Sequence, residues 1–386
     1  MKPMVEMGLS FGVLGPLQVS ANGDLLTLGS RKQRAVMAML VINRNRPVAL
    51  DSLIGAAWED SPPPEARTSL HSYVSNLRRL LGTAGVDPRT VLASAPPGYR
   101  LTVPDAACDL GRFIVEKTAG VQAAATGRLE QASDHLSAAL AQWRGQVLED
   151  LGDLGFVDAF ATALVEEKLA AHTVRAEAEI ACGRANSVIG ELETLIAEQP
   201  YREPLWAQLM TAYYCSGRQS DALDAYRRLK TALADDLGID PGPSVRGLHE
   251  RILRQEPLDV KQAAKTTAQG IATALEQHAR VSALSDPARL RDASGQCYPL
   301  KALATGIGRL ADNDIVVDDP KVSRHHAVII DTGTSWVVND LRSANGVEVG
   351  EQRIRGSVTL ADGDVLRIGG HRFTFEISPG EARDST

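Results

Sequence analysis

The sequence predicts a multidomain α+β protein, in which an N-terminal domain of short strands and helices, an all-helical domain and a C-terminal β-sandwich follow one another. Three observations predict this class. The chain has 386 residues, more than one ordinary core accommodates. The spacing of its apolar residues changes twice along the chain, from a mixture of strand and helix patterns to a purely helical pattern and then to a strand pattern. Its charge is uneven, since residues 1–104 carry a net +4, residues 105–265 carry −8 and residues 266–386 carry −3.

Several function classes are disfavoured by what the sequence lacks. The four cysteines lie far apart without a C-x-x-C pair, which is typical of a reducing compartment. The apolar run Ala35–Ile42 is much shorter than the roughly 20 residues that cross a bilayer, and the first residues show no signal-peptide pattern. The chain contains no phosphate-binding P-loop, dinucleotide fingerprint or kinase motif set. We therefore expect a cytoplasmic protein that is not an enzyme and needs no cofactor.

The N-terminal domain is predicted to span residues 10–104. After two short strands, helices are expected over about Arg31 to Asn43 and from Asp51, a candidate N-cap, to Trp58. The three prolines of residues 62–64 precede a third helix, which ends at Leu81 because Gly82 follows. Two strands joined by Ala95-Pro96-Pro97-Gly98 complete a helix-and-hairpin arrangement.

The third helix is predicted to have two different faces. An apolar face is formed by Leu70, Tyr73, Val74, Leu77 and Leu81. The opposite face is small, polar and lightly basic, and it consists of Thr68, Ser72, Ser75 and Arg79, with Arg67 and Arg78 on its flanks. Such a face suits contact with a polar or anionic surface.

The middle region, residues 105–257, is predicted to be all-helical. Gly183-Arg184 and Gly217-Arg218 lie 34 residues apart, the spacing of a tetratricopeptide helix pair, and Gly127-Arg128 opens a third, less regular unit. Stacked pairs of this kind offer a concave surface for protein contacts, and packed helices without a ligand are the alternative. Residues 258–287 are interpreted as a linker, with one helix around Ile271 to Ala283.

The C-terminal region, residues 288–380, has many short strands separated by Gly, Asn and Asp turns, which predicts a β-sandwich. Its sequence "SRHH" invites three interpretations. Adjacent histidines in a strand point to opposite faces, so His325 and His326 are poorly placed to share a metal ion. A Ser323/His326 catalytic pair lacks an orienting group and an exposed elbow. Binding of an anion is favoured because two further polar segments, Gly308-Arg309 and residues 340–346, come from loops that converge at one end of a sandwich.

These three segments, Gly308-Arg309, Ser323-Arg324-His325-His326 and Asp340 to Gly346, resemble the motif blocks of forkhead-associated (FHA) domains. The resemblance implies binding of phosphothreonine peptides, with Arg309 and Ser323 as phosphate ligands and Arg324 as added positive charge. It implies that Asn345 holds the peptide backbone, while Gly308, His326 and Gly346 have structural roles. A guanidinium group suits a phosphoryl group with close to two negative charges.

The N-terminal domain is similar to the winged-helix output domain of response regulators, through "SYVSNLRRLLG" and "PPGYRL". On that model the third helix enters the major groove of DNA. Thr68, Ser72 and Ser75 then face bases, whereas Arg67, Arg78, Arg79 and Arg100 contact phosphates or guanine. A winged helix that mediates only protein contacts is the alternative.

With the helical block and "DDLGIDPGPSVRGLHERIL", the whole chain resembles SARP/AfsR-type actinobacterial regulators that carry an FHA domain. The resemblance implies a transcriptional regulator that binds promoter DNA, docks a phosphorylated Ser/Thr protein kinase and contacts RNA polymerase. It also implies control of genes for cell-wall arabinan synthesis. A kinase-binding adaptor or inhibitor with little DNA binding remains the alternative, because the presented helix carries few arginines and the middle region is acidic.

Overall fold

The computed structural model describes residues 8–59, 61–282, 288–300, 304–309, 313–331, 335–341, 343–350, 352–354 and 357–377. Compact packing divides the chain into two units. The first comprises the described parts of Met1–Ile114, Ala141–Glu167 and Ala274–Thr386, and the second comprises Val115–Leu140 and Lys168–Thr273.

The α-helices among the described residues all lie within the first 282 positions. They are α1 (Arg31–Ile42), α2 (Leu50–Trp58), α3 (Ala66–Leu81), α4 (Pro88–Val91), α5 (Asp109–Ala125), α6 (Leu129–Leu140), α7 (Gly155–Ala181), α8 (Ile189–Glu198), α9 (Glu203–Cys215), α10 (Gln219–Leu237), α11 (Pro243–Leu253) and α12 (Val260–Ser282).

The strands lie at the two ends of the chain. Those of the N-terminal domain are β1 (Leu9–Gly12), β2 (Gln18–Ala21), β3 (Asp24–Leu25), β4 (Val48–Ala49), β5 (Leu92–Ala95) and β6 (Gly98–Leu101). Those of the C-terminal domain are β7 (Ala288–Asp292), β8 (Cys297–Pro299), β9 (Ala304–Gly308), β10 (Ile315–Val316), β11 (Ala327–Asp331), β12 (Trp336–Asp340), β13 (Val347–Val349), β14 (Gln352–Arg353), β15 (Ser357–Leu360), β16 (Val365–Ile368) and β17 (His371–Ile377).

The N-terminal domain has the predicted strands, three longer helices and closing hairpin, and it adds two short elements that were not predicted, β4 between α1 and α2 and α4 between α3 and the hairpin. Strands β1, β2 and β3 form one antiparallel sheet, and β4, β6 and β5 form a second in which the β5–β6 hairpin is the wing. The N-cap prediction for α2 is wrong. The helix begins at Leu50 directly after β4, with Ala49 at the N-cap, and Asp51 lies in its first turn, where a carboxylate still suits the helix dipole.

The amphipathic prediction for α3 is confirmed. Leu70, Val74, Leu77 and Leu81 are buried, and Tyr73 is half-buried. This face packs against α1 and α2, so the polar face is presented to solvent. The helix ends at Leu81 as the sequence predicts, but Gly82 is not a left-handed cap. Gly82 keeps a right-handed conformation and opens a 3₁₀ turn over Gly82–Ala84, and Gly85, with a φ of 75°, is the left-handed residue that follows.

Three helices of the second unit end with the same backbone geometry. Gly127, Gly183 and Gly217 have φ angles of 81°, 81° and 76°. After each glycine, the arginine N–H donates to a carbonyl five residues earlier, which is the bond that closes a Schellman motif. Because glycine adopts this left-handed conformation at little cost, the Gly-Arg pairs mark equivalent turns of a repeated helical array.

The segment interpreted as a linker forms a longer helix than expected. Helix α12 begins at Val260 instead of near Ile271. Its alanines Ala264, Ala268 and Ala272 recur every four residues and are buried. Small side chains contribute little to a hydrophobic signal in sequence, which explains the difference.

The C-terminal domain is a sandwich of two sheets. The five-stranded sheet has the order β10-β9-β11-β12-β15 and the six-stranded sheet has the order β14-β13-β16-β17-β7-β8. Pairing is antiparallel except between β9 and β10. A core that includes Trp336 and Phe375 fills the space between the sheets, and the loops after β9, β10 and β12 meet at one end.

Candidate functional site

Three loops meet at one end of the sandwich, and each contributes a predicted site residue. Arg309 follows β9, Ser323 lies between β10 and β11, and Asn345 lies between β12 and β13. The Arg309 N–H donates to the Ser323 carbonyl oxygen at 3.0 Å. The Ala344 N–H donates to Ser323 Oγ at 3.1 Å, and Asn345 Nδ2 donates to the Lys321 carbonyl oxygen at 2.7 Å. The predicted residues are thus brought together around the backbone of residues 321–323.

The buried His326 braces two of these loops. Its Nδ1 accepts the Ser323 N–H at 3.0 Å, so the proton of the neutral ring lies on Nε2. Nε2 then donates to the Gly346 carbonyl oxygen at 3.0 Å. His326 is fully buried, whereas His325 lies on the other side of the chain near Asn313. The ring therefore fixes the distance between the loop that carries Ser323 and the loop that carries Asn345.

The two predicted glycines stand where a side chain does not fit. A Cβ at Gly308 would collide with the carbonyl oxygen of Arg324. Gly346 has a φ of 77° and would bring a Cβ against the Arg353 guanidinium. Both positions keep the loops close enough to share one ligand.

The site is exposed and locally basic. Arg309, Lys321, Arg324 and Asn345 are solvent-exposed, and Ser323 is half-buried. The Arg309 guanidinium currently donates from Nε to the Val322 carbonyl oxygen at 3.3 Å. Exposed cations beside a hydroxyl group form a surface that favours a small dianion.

Lys321 and Asp319 are functional candidates that the sequence analysis missed. Asp319 Oδ1 accepts the Lys321 N–H at 2.7 Å, and Asp319 Oδ2 lies 3.0 Å from His371 Nε2. These contacts, the Lys321 N–H first and His371 second, lower the pKa of Asp319. The position of Lys321 two residues before Ser323 was the available signal.

In the N-terminal domain, the presented face of α3 is wider than predicted. Arg67, Thr68, Ser72, Ser75 and Arg79 are exposed there. His71 and Asn76 are exposed as well, and the sequence analysis missed both, although their helical spacing places them between the predicted positions. His71 Nδ1 lies 2.7 Å from the hydroxyl of the buried Tyr99 in β6, which orients its ring.

Arg78 is turned toward the wing. Its Nε donates to the Leu92 carbonyl oxygen at 2.9 Å, a terminal nitrogen donates to Ser94 Oγ at 3.1 Å, and its guanidinium lies 5.5 Å from the centre of the Tyr99 ring. Arg78 therefore fastens α3 to the wing, instead of standing among the outward groups. Arg67 is paired with Asp51 at 3.1 Å, and Arg100 is exposed on β6.

Two features are absent from the described residues, a metal-binding cluster and a membrane-spanning helix. No group of three or more His, Cys, Asp or Glu side chains among them is arranged to hold a metal ion. None of the helices within the described ranges has the length and apolar character needed to cross a membrane.

Comparison with known proteins agrees with this architecture. Residues 25–101 match the family model "Transcriptional regulatory protein, C terminal", residues 108–253 match "Bacterial transcriptional activator domain" and residues 305–369 match "FHA domain". These segments define a transcriptional regulator, not an enzyme, with a DNA-binding winged helix and an FHA domain.

Individual relatives narrow the class. The regulatory protein EmbR of Mycobacterium tuberculosis is 67% identical over 377 residues, 97% of both chains. A solved structure of Mycobacterium tuberculosis EmbR in complex with a low-affinity phosphopeptide has a TM-score of 0.94 and 66% identity, and the match covers 97% of this chain and 99% of that one. AfsR of Streptomyces coelicolor is 32% identical over 92% of this chain and 36% of its own length. The chain belongs to the EmbR family of SARP-type regulators.

Proposed function

We propose that this regulator reads the phosphorylation state of a Ser/Thr protein kinase and acts at promoters. The FHA domain docks a phosphothreonine segment of the kinase, and the winged helix binds promoter DNA. Both events take place in the cytoplasm. The proposal is carried by the convergence of Arg309, Ser323 and Asn345 in a chain that also presents a polar helix face beside a wing.

Each residue of the phosphate site has a distinct part in this proposal. Arg309 leaves the Val322 carbonyl oxygen and donates to the phosphoryl oxygens, with Arg324 adding positive charge. The Ser323 hydroxyl donates a further hydrogen bond. Asn345 uses its amide to hold the peptide backbone beside the phosphothreonine. Gly308, His326 and Gly346 keep the three loops together.

Titration calorimetry with a phosphothreonine peptide tests this assignment. Arg309→Ala removes charge-assisted hydrogen bonds worth roughly 1.5–3 kcal/mol, so affinity falls by about 10- to 150-fold. Ser323→Ala and Asn345→Ala each cost about 1 kcal/mol or more. Arg367→Ala, an exposed arginine paired with Glu348 on the six-stranded sheet, serves as the matched control. Equal binding of the unphosphorylated peptide contradicts the assignment.

On the DNA side, α3 enters the major groove and the wing approaches the adjacent backbone. Thr68, Ser72 and Ser75 face bases, and Arg67, Arg79 and Arg100 contact phosphates or guanine. Arg78 contributes to binding by holding the wing against α3. These roles are supported by the exposure of the first six residues and by the contacts of Arg78 with Leu92 and Ser94.

Footprinting on upstream regions tests DNA recognition. Arg79→Ala removes the protection, while Arg227→Ala, an exposed arginine of α10 paired with Asp224, leaves it unchanged. Affinity also falls steeply with salt, by about 0.9 in log K per log unit of salt for each neutralised phosphate. Equal affinity for a random duplex contradicts a sequence-specific regulator.

The finer features of the function rest on family resemblance. We propose that the helical domain contacts RNA polymerase, supported by the match of residues 108–253 to an activator domain. We further propose that the target genes include those for cell-wall arabinan synthesis. Transcription profiling after deletion of the gene tests this: a change in arabinan genes supports it and unchanged levels contradict it.

A kinase-binding adaptor is the second candidate. This candidate is favoured because Arg78 donates to the Leu92 carbonyl oxygen of the wing and Arg67 is paired with Asp51. Fewer cationic side chains are therefore available to bind a phosphate backbone. Footprinting separates the two candidates, because an adaptor binds the phosphopeptide and protects no DNA.

A further inference from the structure

The six-stranded sheet of the FHA domain carries a row of charged side chains close to the phosphate loops. The members of the row are directly paired from one strand to the next across β14, β13, β16 and β17, and they are Arg353, Glu348, Arg367 and Arg372. Residues that lie directly opposite each other in a sheet point to the same face. We call these four side chains the arginine row.

The arginine row points away from the core of the sandwich. Arg367 lies between Leu366 and Ile368, which are both buried in the core. Arg372 directly precedes the buried Phe373. Because successive side chains of a strand alternate between the two faces, both arginines point to the outer face, where each is exposed to solvent.

The positive charge of the row is only partly neutralised. Arg367 lies 3.7 Å from Glu348, and their side chains are 53% and 44% exposed. Within the part of the chain that the structure describes, Arg353 and Arg372 have no carboxylate partner. Three arginines and one glutamate give the row a net charge of +2, although residues 266–386 together carry −3. Positive charge is therefore concentrated on this part of the domain.

The stability of the sheet does not explain this arrangement. Arg367 and Arg372 lie directly opposite each other in the β16–β17 hairpin, where like charges are destabilising. Farther along the same face, Arg289 and Arg291 share the carboxylate of Glu376. A neutralising carboxylate thus serves one pair of arginines on this face, whereas Arg372 has none among the described residues. This difference favours a ligand that supplies the negative charge.

The row adjoins the phosphate site at two points. On β14, the Arg353 guanidinium lies against Gly346 in the loop between β12 and β13, and it leaves no room for a Cβ there. On β17, the residue before Arg372 is His371, whose Nε2 lies 3.0 Å from Asp319 Oδ2 in the loop between β10 and β11. A polypeptide that leaves the phosphate site can therefore continue directly onto the row.

An extended peptide segment matches the row in length and chemistry. Neighbouring strands lie about 4.8 Å apart, so a row across four strands spans about 14 Å. An extended chain covers about 3.3 Å per residue, so about four or five residues span the row. Carboxylates meet guanidinium groups with charge-assisted hydrogen bonds, which makes aspartate and glutamate side chains suitable ligands.

We propose that the arginine row binds an acidic segment of the same partner whose phosphothreonine occupies the phosphate site. This inference rests on the proposed function and names the class of partner, a phosphorylated polypeptide with a run of acidic residues that continues across the outer face of the sheet. Arg353 and Arg372 bind carboxylates, and Arg367 shares its charge between Glu348 and the ligand. The phosphate loops then recognise phosphorylation, and the row selects among phosphorylated segments by their charge.

Calorimetry on the full chain tests the proposal with three phosphothreonine peptides. One peptide has glutamines on both flanks, and in each of the others one flank carries about four glutamates, enough to span the row. One of the acidic peptides binds about fivefold more tightly than the glutamine peptide, as expected for a few exposed charge pairs. The gain shrinks when salt is raised to about 1 M, because exposed charges are then screened.

A double variant and a matched control identify the arginines responsible. The variant with Arg367→Gln and Arg372→Gln loses the gain and keeps the wild-type affinity for the glutamine peptide. For the same reason, Arg367→Ala is a neutral control for peptides without acidic flanks. Arg289→Gln lies on the same face but belongs to the pair held by Glu376, so it keeps the gain.

The outcomes separate this proposal from the proposed function. Equal binding of all three peptides, or a gain that survives in the double variant, overturns the proposal and leaves the proposed function intact. A double variant that keeps the gain and loses promoter affinity assigns the row to DNA, which also overturns the proposal. A wild type that binds none of the phosphorylated peptides overturns the proposed function, and this inference with it.

Discussion

The phosphate site and the presented face of α3 differ in how their side chains are held. In the proposed phosphate site, His326 binds the Gly346 carbonyl oxygen at 3.0 Å and Asn345 binds the Lys321 carbonyl oxygen at 2.7 Å, so each ties together segments 20 or more residues apart in sequence. On α3, Ser72 is held by the helix itself, since its Oγ donates to the Thr68 carbonyl oxygen at 3.2 Å. His71 and Arg67 each have one side-chain partner outside the helix, Tyr99 and Asp51. The proposed phosphate site is therefore preorganised by contacts between loops, whereas the proposed DNA surface is mainly a pattern of side chains on one helix.

The largest effect is expected where preorganisation is removed. His326→Ala leaves the Ser323 N–H and the Gly346 carbonyl without their buried partner and opens a cavity. It therefore costs about 2–4 kcal/mol of local stability and most of the phosphopeptide affinity. Hydrogen exchange of the β11 amides measures the stability. His325→Ala, at the neighbouring half-buried position, has a much smaller effect, and equal effects of the two would show that the brace is unimportant.

A single outward residue of α3 is expected to matter less. Asn76→Ala removes one candidate adenine-reading amide, so promoter affinity falls by about tenfold, with relaxed preference at one base pair. The salt dependence stays as in the wild type because no charge is lost. Competition binding with single-base operator variants measures this. A uniform loss across all sequences would indicate that Asn76 contacts the backbone.

The contact between Tyr99 and His71 in the winged helix is a weaker counterpart of the contacts made by His326, because it consists of a single hydrogen bond. Tyr99→Phe removes the hydroxyl group that lies 2.7 Å from His71 Nδ1 but keeps the ring under Arg78. One hydrogen bond contributes about 1 kcal/mol, so promoter affinity falls by roughly threefold to fivefold. Fluorescence anisotropy with a promoter duplex measures the change. An effect as large as that of His326→Ala would remove the contrast between the two regions.

The smallest effect is expected at Asp319, which is outside the set of predicted phosphate contacts. The Lys321 N–H and His371 lower its pKa, so its bracing of the loop is present above the ordinary aspartate range near 4 and is lost as pH falls through the lowered value. Near neutral pH, Asp319→Asn weakens phosphopeptide binding by about twofold to threefold, since exposed pairs contribute little. Calorimetry at several pH values checks this, and a variant without any effect would show that the loop keeps its shape unaided.

Much of the fold was predictable because its signals are local. The end of α3 at Leu81 coincides with a glycine, the Gly-Arg turns mark the helical repeat, and the spaced polar segments lie in loops that meet at one end of the sandwich. The length of α12 was not predictable, because its buried face consists of alanines. Arg78 was placed by spacing near the polar face, and only the wing's Leu92 carbonyl and Ser94 hydroxyl explain why it turns inward. The hydrogen bond from Ser335 to Glu167 was likewise not predictable, because it joins residues 168 positions apart in sequence.

A crystal structure of the full chain with a bound phosphothreonine peptide tests the central claim most directly. The account predicts phosphoryl oxygens within about 3.2 Å of the Arg309 guanidinium and the Ser323 hydroxyl, with the Asn345 amide on the peptide backbone. A peptide bound elsewhere, with the Arg309 guanidinium still on the Val322 carbonyl oxygen, would contradict it.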